Sequence, residues 1–135
     1  MGAYTQLSAT LPELHLNAKQ IDDLARDLVD NHKKYIFYSD ATEVIPLLSQ
    51  HCHLGIISDA WPSLEGVFDA AGLREYFEVF VLSSQIGDAK PQPAMYQAAM
   101  LSAHVQPERA LFVDDSFVNC TRATRLGMFS ILLCR

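Results

Sequence analysis

Apolar positions along the chain follow two rhythms. Between residues 17 and 34, Ile21, Leu24, Ala25, Leu28 and Val29 recur at the three- and four-residue spacing that puts them on one face of a helix. Asn17 opens this run with Gln20 three residues on, the arrangement of a capping box, so the spacing predicts an amphipathic helix over 17–34. Beyond it, short apolar runs at 53–58, 78–82, 110–113 and 129–134 alternate with helical patterns at 42–50, 63–71, 93–103 and 116–126. Short apolar strands separated by helices predict an α/β fold, with a parallel sheet covered by crossover helices. Gly72 and Gly127 stand where helix C-terminal caps belong, Pro93 stands where a helix can start, and Pro46 blurs the start of the helix over 42–50. The segment 35–40 is the expected joint between the lone helix and the α/β part. No repeat or low-complexity segment interrupts the pattern.

Composition narrows this picture modestly. With 135 residues, half of them apolar, the chain has material for one core and too little for two ordinary domains. A formal charge of −6 leaves no basic stripe for a phosphate backbone, which argues against a nucleic-acid partner. Cys52, Cys120 and Cys134 form no C-x-x-C pair; an odd number of scattered thiols suits a reducing compartment, so the expected location is cytoplasmic. The N-terminal residues lack the charged and apolar blocks of a signal peptide, and no apolar run approaches the ~18 residues of a membrane span. A soluble protein without a membrane partner is the expectation.

The chemistry sits just after the strands. In open α/β sheets ligands bind beyond the carboxyl ends of the strands, and three such places are polar here. The run G-I-I-S-D ends in Ser58 and Asp59, and a hydroxyl there can donate to a phosphoryl oxygen. In G-D-A-K-P-Q-P, Lys90 follows a glycine turn and can neutralise an anion. In L-F-V-D-D-S, Asp114 and Asp115 are adjacent hard oxygen donors of the kind Mg²⁺ takes together with substrate phosphate. Each has an ordinary reading too: Ser58 as a strand cap, Lys90 as a solvated surface charge, and the two acids as an N-cap and first-turn acid of the next helix. The ordered set is more specific than any member.

In order and context these segments resemble the haloacid dehalogenase superfamily of hydrolases: I-I-S-D its second motif, S-S-Q-I-G-D-A-K-P-Q-P-A-M-Y its third, and F-V-D-D-S-F-V-N its fourth, continuously from about Phe37 onward. The resemblance implies a Rossmann-like core and a Mg²⁺-dependent phosphatase ancestry, acting on a small phosphorylated metabolite through an aspartyl-phosphate. It implies that Ser58 binds the transferred phosphoryl group with Asp59 beside it, and that Lys90 neutralises nucleophile and phosphate. Asp115 would bind Mg²⁺ directly with Asp114 assisting, and Asn119 would support them from behind. Asp59 departs from the asparagine common in the family and adds negative charge near the phosphate.

The family's first motif, a nucleophilic Asp followed two residues later by an acid/base Asp, has no counterpart: no two Asp here are separated by a single residue. By resemblance, residues 1–36 are a remnant of the helical cap domain and residues 37–135 the core without its first, central strand, as if the sequence starts inside the cap. Without the carboxylate nucleophile the covalent route is closed and Mg²⁺ loses a ligand, which implies a chain that is inactive or very weak. The alternative is a non-catalytic module that binds Mg²⁺, phosphate or another subunit. Absence of the central strand would leave two apolar edges in mid-sheet. Three remedies are open: residues 3–9 fill the gap, a strand is exchanged in a homodimer, or the two flanking strands pair directly.

Four further readings compete with these. Asp40 and Thr42 could imitate the missing motif, but D-A-T-E reads better as a capping box opening the next helix, with too few residues before Ser58 to hold a cap. His51 and His53 could clip a metal, yet two ligands do not make a site. Trp61 could shape a pocket or merely pack at a helix entrance. A receiver-domain reading of L-F-V-D-D-S fails on order, because too little chain follows Asp115 to hold its phosphorylated Asp and lysine.

Overall fold

Asn17 caps the first helix as its spacing predicts. In the computed structural model, which describes residues 15–134, Asn17 Oδ1 accepts the Gln20 main-chain N–H at 2.9 Å and Gln20 Oε1 accepts that of Asn17 at 2.9 Å. The helix, α1 (Ala18–Asp30), ends four residues short of the predicted 34 because Asn31 leaves helical geometry and residues His32–Lys34 tighten into a 3₁₀ turn. The Lys34 ammonium donates to the carbonyls of Asp27 and Leu28 in the last turn of the helix, the first of which also accepts the Asn31 N–H. No residue of α1 is buried. The chain divides between Ile36 and Phe37 into two compact units, and the second holds all the strands among the described residues.

That second unit runs α2 (Ser39–Leu48), β1 (Leu54–Ser58), α3 (Leu64–Ala70), β2 (Phe77–Leu82), the single turn α4 (Ser83–Ile86), α5 (Pro93–Ser102), β3 (Leu111–Asp114), α6 (Phe117–Arg125) and β4 (Phe129–Leu132). Each predicted strand and helix is present, with bounds that differ by up to three residues. The largest difference is at α2, which starts at Ser39 after an N-cap at Tyr38. Asp40 therefore lies in the first helical turn, and the capping box expected of D-A-T-E does not form. Pro46 lies inside this helix rather than at its start. Gly72 (φ +68°) and Gly127 (φ +93°) take the left-handed conformation that ends α3 and α6, as their spacing predicts.

The strands form two parallel ribbons, β1 with β2 and β3 with β4, and not one continuous sheet. Among the described residues no strand joins β1 to β3, so these two do not close directly on each other. Residues 3–9, the first candidate for the gap, lie outside the described residues. The ribbons nonetheless share one core. Val79 and Val81 of β2, Met95 and Tyr96 of α5, Phe112 of β3 and Cys120 and Ala123 of α6 form a single buried cluster, with Ile57 of β1 packed against it. Tyr96 meets Phe112 edge to face at 5.2 Å between ring centroids. Met95 and Tyr96 are fully buried, each contributing about 1.5–3 kcal/mol from burial alone. Helix α5 is thus the common floor on which both ribbons rest.

The first ribbon is covered on its other face as well. Its register slips between Leu54 and Gly55, where β2 advances by an additional residue. The slip lets Phe77 and Phe80 both meet Phe68 of α3, at centroid distances of 5.4 Å each, with Phe37 on Phe68 at 5.0 Å. Gly55 permits the close approach of the two strands, since a Cβ there would stand 3.2 Å from Val79 Cβ.

Candidate functional site

The rim of the site is built by the ends of β1 and β3 and by the loop between α4 and α5. Strand β1 ends at the half-buried Ser58, and Asp59 follows it. Lys90 reaches across the interval between the ribbons. Its main-chain N–H donates to Asp59 Oδ1 at 2.8 Å, and its Nζ donates to Asp114 Oδ2 at 2.8 Å at the end of β3. Its side chain is 14% exposed and that of Asp114 9%, so this ion pair is shielded from solvent. The other carboxylate oxygen, Asp114 Oδ1, accepts the Ser116 N–H at 2.8 Å and the Asn119 side-chain amide at 3.2 Å. Ser116 is the N-cap of α6, and its hydroxyl accepts the Asn119 N–H at 3.4 Å.

Four of the six residues singled out in the sequence, Asp59, Lys90, Asp114 and Asn119, therefore form one hydrogen-bonded chain, with Ser58 directly before Asp59. Asp115 is exposed and takes no part in it. The adjacent acids separate by environment. Burial pushes the Asp114 pKa up, but the hydrogen bonds from Lys90, Ser116 and Asn119 together with the Lys90 charge outweigh it, and the carboxyl sits below its ordinary value. Neither acid is the N-cap of α6, because Ser116 takes that position.

Tyr96 is a residue that sequence reasoning missed. Its hydroxyl donates to the Asn119 carbonyl at 3.1 Å, tying α5 to the turn that orients Asn119. Burial first, then the charges of Asp114 and Asp59, push its pKa up to about 12. The only trace in the sequence is a hydroxyl-bearing aromatic inside the apolar stretch P-A-M-Y-Q-A-A-M.

Tested against these positions, a resident metal does not fit unaided. Among the described residues no three His, Cys, Asp or Glu side chains converge, and Asp114 has both carboxylate oxygens engaged by protein donors. Of the two adjacent acids, only Asp115 is left to offer a carboxylate oxygen. His51 and His53 belong to no metal cluster either, and His53 pairs instead with Glu78 across to β2. A cleft of about 560 Å³ opens beyond the carboxyl ends of β1 and β2, lined among others by Asp59, Trp61, Ser83, Ser84 and Asp88. Trp61 is 65% exposed there, so it lines this cleft and does not pack in the core. No helix among the described residues is long and apolar enough to cross a membrane.

Comparison with known proteins points one way. Residues 4–133 match the family described as haloacid dehalogenase-like hydrolase. The chain is 36% identical over 81 residues to the human haloacid dehalogenase-like hydrolase domain-containing protein 3, covering 59% of this chain and 32% of that protein. It is 26% identical over 107 residues to a phosphoserine phosphatase of Thermus thermophilus, covering 78% and 43%. Among solved structures, an HAD phosphatase from Thermococcus onnurineus shares the fold, with a TM-score of 0.72 and 23% identity over 89% of this chain and 54% of that one. The chain spans a third to just over half of the length of these relatives.

Proposed function

The chain belongs to the haloacid dehalogenase-like hydrolase family, and from that premise we propose that it carries the phosphate-facing rim of a Mg²⁺-dependent phosphatase site without the carboxylate that would attack phosphorus. The substrate of such a site is a small phosphate ester. Ser58 would donate to a phosphoryl oxygen and Lys90 would offset phosphate charge. One observation supports the inactive reading above the rest: the Lys90 ammonium is neutralised by Asp114, and no other carboxylate in the described residues stands against it. Nucleophilic catalysis at phosphorus needs an activated oxygen on the chain, and this rim offers none. Of the Asp114–Asp115 pair, Mg²⁺ would find only Asp115 unengaged, so its affinity is low.

The direct test is a phosphatase assay with p-nitrophenyl phosphate and Mg²⁺ on the wild-type chain and on Asp115→Asn. The expected result is no turnover above background in either. Metal-dependent turnover in the wild type that disappears in the variant would refute the inactive reading. A second reading, a non-catalytic module that binds another polypeptide, is favoured by the uncovered face of the second ribbon, where Leu111, Val113, Phe129 and Ile131 are all at least half exposed.

A further inference from the structure

Helix α6 carries a second recess. Val118, Thr121, Arg122 and Arg125 stand at helical spacing on one of its faces, and with Phe117 and the loop residue Pro91 they line a pocket of about 140 Å³. None of Ser58, Asp59, Lys90, Asp114 or Asn119 lines it, although Pro91 follows Lys90 directly. Its walls are of two kinds. Pro91, Phe117 and Val118 are apolar, with Phe117 71% and Val118 58% exposed. The Thr121 hydroxyl is committed to the Phe117 carbonyl at 2.8 Å. The charges on the lining are those of Arg122 and Arg125, and no carboxylate stands beside them there.

Among the described residues neither guanidinium forms an ion pair or a hydrogen bond, whereas Arg26 and Arg74 each meet a carboxylate. Carboxylates are not scarce in a chain with sixteen acidic and ten basic residues, so their absence from this face is local. Two like charges three residues apart on a helix repel each other, and Arg122 is half-buried, which makes an unmatched charge costlier still. The helix dipole favours cations in the last turn, where both arginines lie. It accounts for their place in the chain but not for their direction. Helical side chains lean toward the N-terminus, so both stems are carried toward Val118 and away from the last carbonyls, to which neither arginine donates.

We propose that this pocket binds a phosphate group, free or carried as a monoester, between the Arg122 and Arg125 guanidiniums. The planar fork of arginine matches oxyanions in pairs of parallel hydrogen bonds. Two uncompensated positive charges match the roughly −1.5 to −2 of a phosphate monoester at neutral pH, whereas a single carboxylate would leave one of them unmatched. The volume lies below the ~300 Å³ at which sites begin to enclose a whole drug-sized ligand. The pocket therefore takes the phosphate and the first atoms bonded to it, and an apolar body would lie against Phe117 and Val118. The proposal stands on α6 and Pro91 and holds whether or not the rim binds phosphate.

The test titrates inorganic phosphate, phenyl phosphate and acetate into the full chain at constant ionic strength, followed by residue-resolved NMR. Both phosphates should shift the amides of Val118, Thr121 and Arg125 saturably, with half-saturation below about 10 mM, and acetate should bind about tenfold more weakly or worse. Equal affinity for the two phosphates would assign the site to the free ion. Tighter phenyl phosphate, reduced to the level of the inorganic ion by Phe117→Ala, would assign it to a monoester. Arg122→Gln and Arg125→Gln should each weaken binding by about tenfold or more. An unchanged thermal midpoint shows that a variant is folded, and if Arg122→Gln is not, the exposed Arg125→Gln makes the comparison. Shifts confined to Ser58 and Asp59, no saturation by about 10 mM, acetate binding as tightly as phosphate, or full affinity in a folded arginine variant would overturn the proposal.

Discussion

The two ribbons of this chain are similar in topology and unlike in finish. In β1–β2 one face packs on α5 through Val79 and Val81 and the other on Phe68 through Phe77 and Phe80. In β3–β4 only one face is covered: Phe112 enters the core and Ser130 Oγ meets Thr124 Oγ1 of α6 at 2.8 Å, while Leu111, Val113, Phe129 and Ile131 face away uncovered. Parallel strands are ordinarily buried on both faces because their crossover helices cover both. The difference places the incompleteness of this core beside the second ribbon and the interval next to it. It also separates two matters that the family resemblance merges, since the polar rim is assembled while the sheet beneath it is not.

Substitutions can break that contrast in a graded way. Phe112→Ala empties the contact that joins β3 to Tyr96 and should cost about 3–5 kcal/mol, with both ribbons lost in one thermal transition. A transition in which β1–β2 survives would show that the ribbons do not share a core. Lys90→Ala leaves the shielded Asp114 carboxylate without its cation and should cost about 3 kcal/mol at neutral pH. The sign with pH follows from the depressed Asp114 value. Its contribution is complete above the ordinary carboxylate range and is lost as pH falls through the lower folded value. Urea midpoints measured down to acid pH should therefore fall less steeply in Asp114→Asn than in the wild type.

A matched pair sharpens the comparison further. Val81→Thr places a hydroxyl in a site that is 3% exposed and should cost about 1–3 kcal/mol, whereas Val113→Thr should lie within about 0.5 kcal/mol of wild type. Equal costs would mean that the second ribbon is covered after all. The smallest effect belongs to Tyr96→Phe, which removes the hydrogen bond to the Asn119 carbonyl and should lower stability by about 1 kcal/mol by denaturant titration.

Much of the fold was legible because its signals are local. Apolar runs broken by helical spacing located the four strands among the described residues, and Asn17, Gly72 and Gly127 supplied caps whose geometry a sequence pattern encodes directly. D-A-T-E misled because two helix starts lie within one residue of each other, and the chain used Ser39 with Tyr38 before it. At the site, residue types on strand ends were readable, but partners were not. Nothing in D-D announces that the first acid is held by Lys90 while the second faces solvent, since that choice depends on where a loop far along the chain brings its lysine. The register slip in β2, which turns Phe77 and Phe80 toward the same ring, and the role of Tyr96 as a tie between α5 and the Asn119 turn, are likewise tertiary facts.

The central claim is that β3 has an open edge beside an assembled rim, and residue-resolved amide exchange of the chain alone tests it most directly. Phe112 and Asp114, whose N–H groups face β4, should exchange slowly, whereas Leu111 and Val113 between them should exchange as fast as exposed loop amides. Alternation along these four residues is the predicted result. Uniform protection across Leu111, Phe112, Val113 and Asp114 would contradict it, showing that the edge of β3 is already covered in the chain alone.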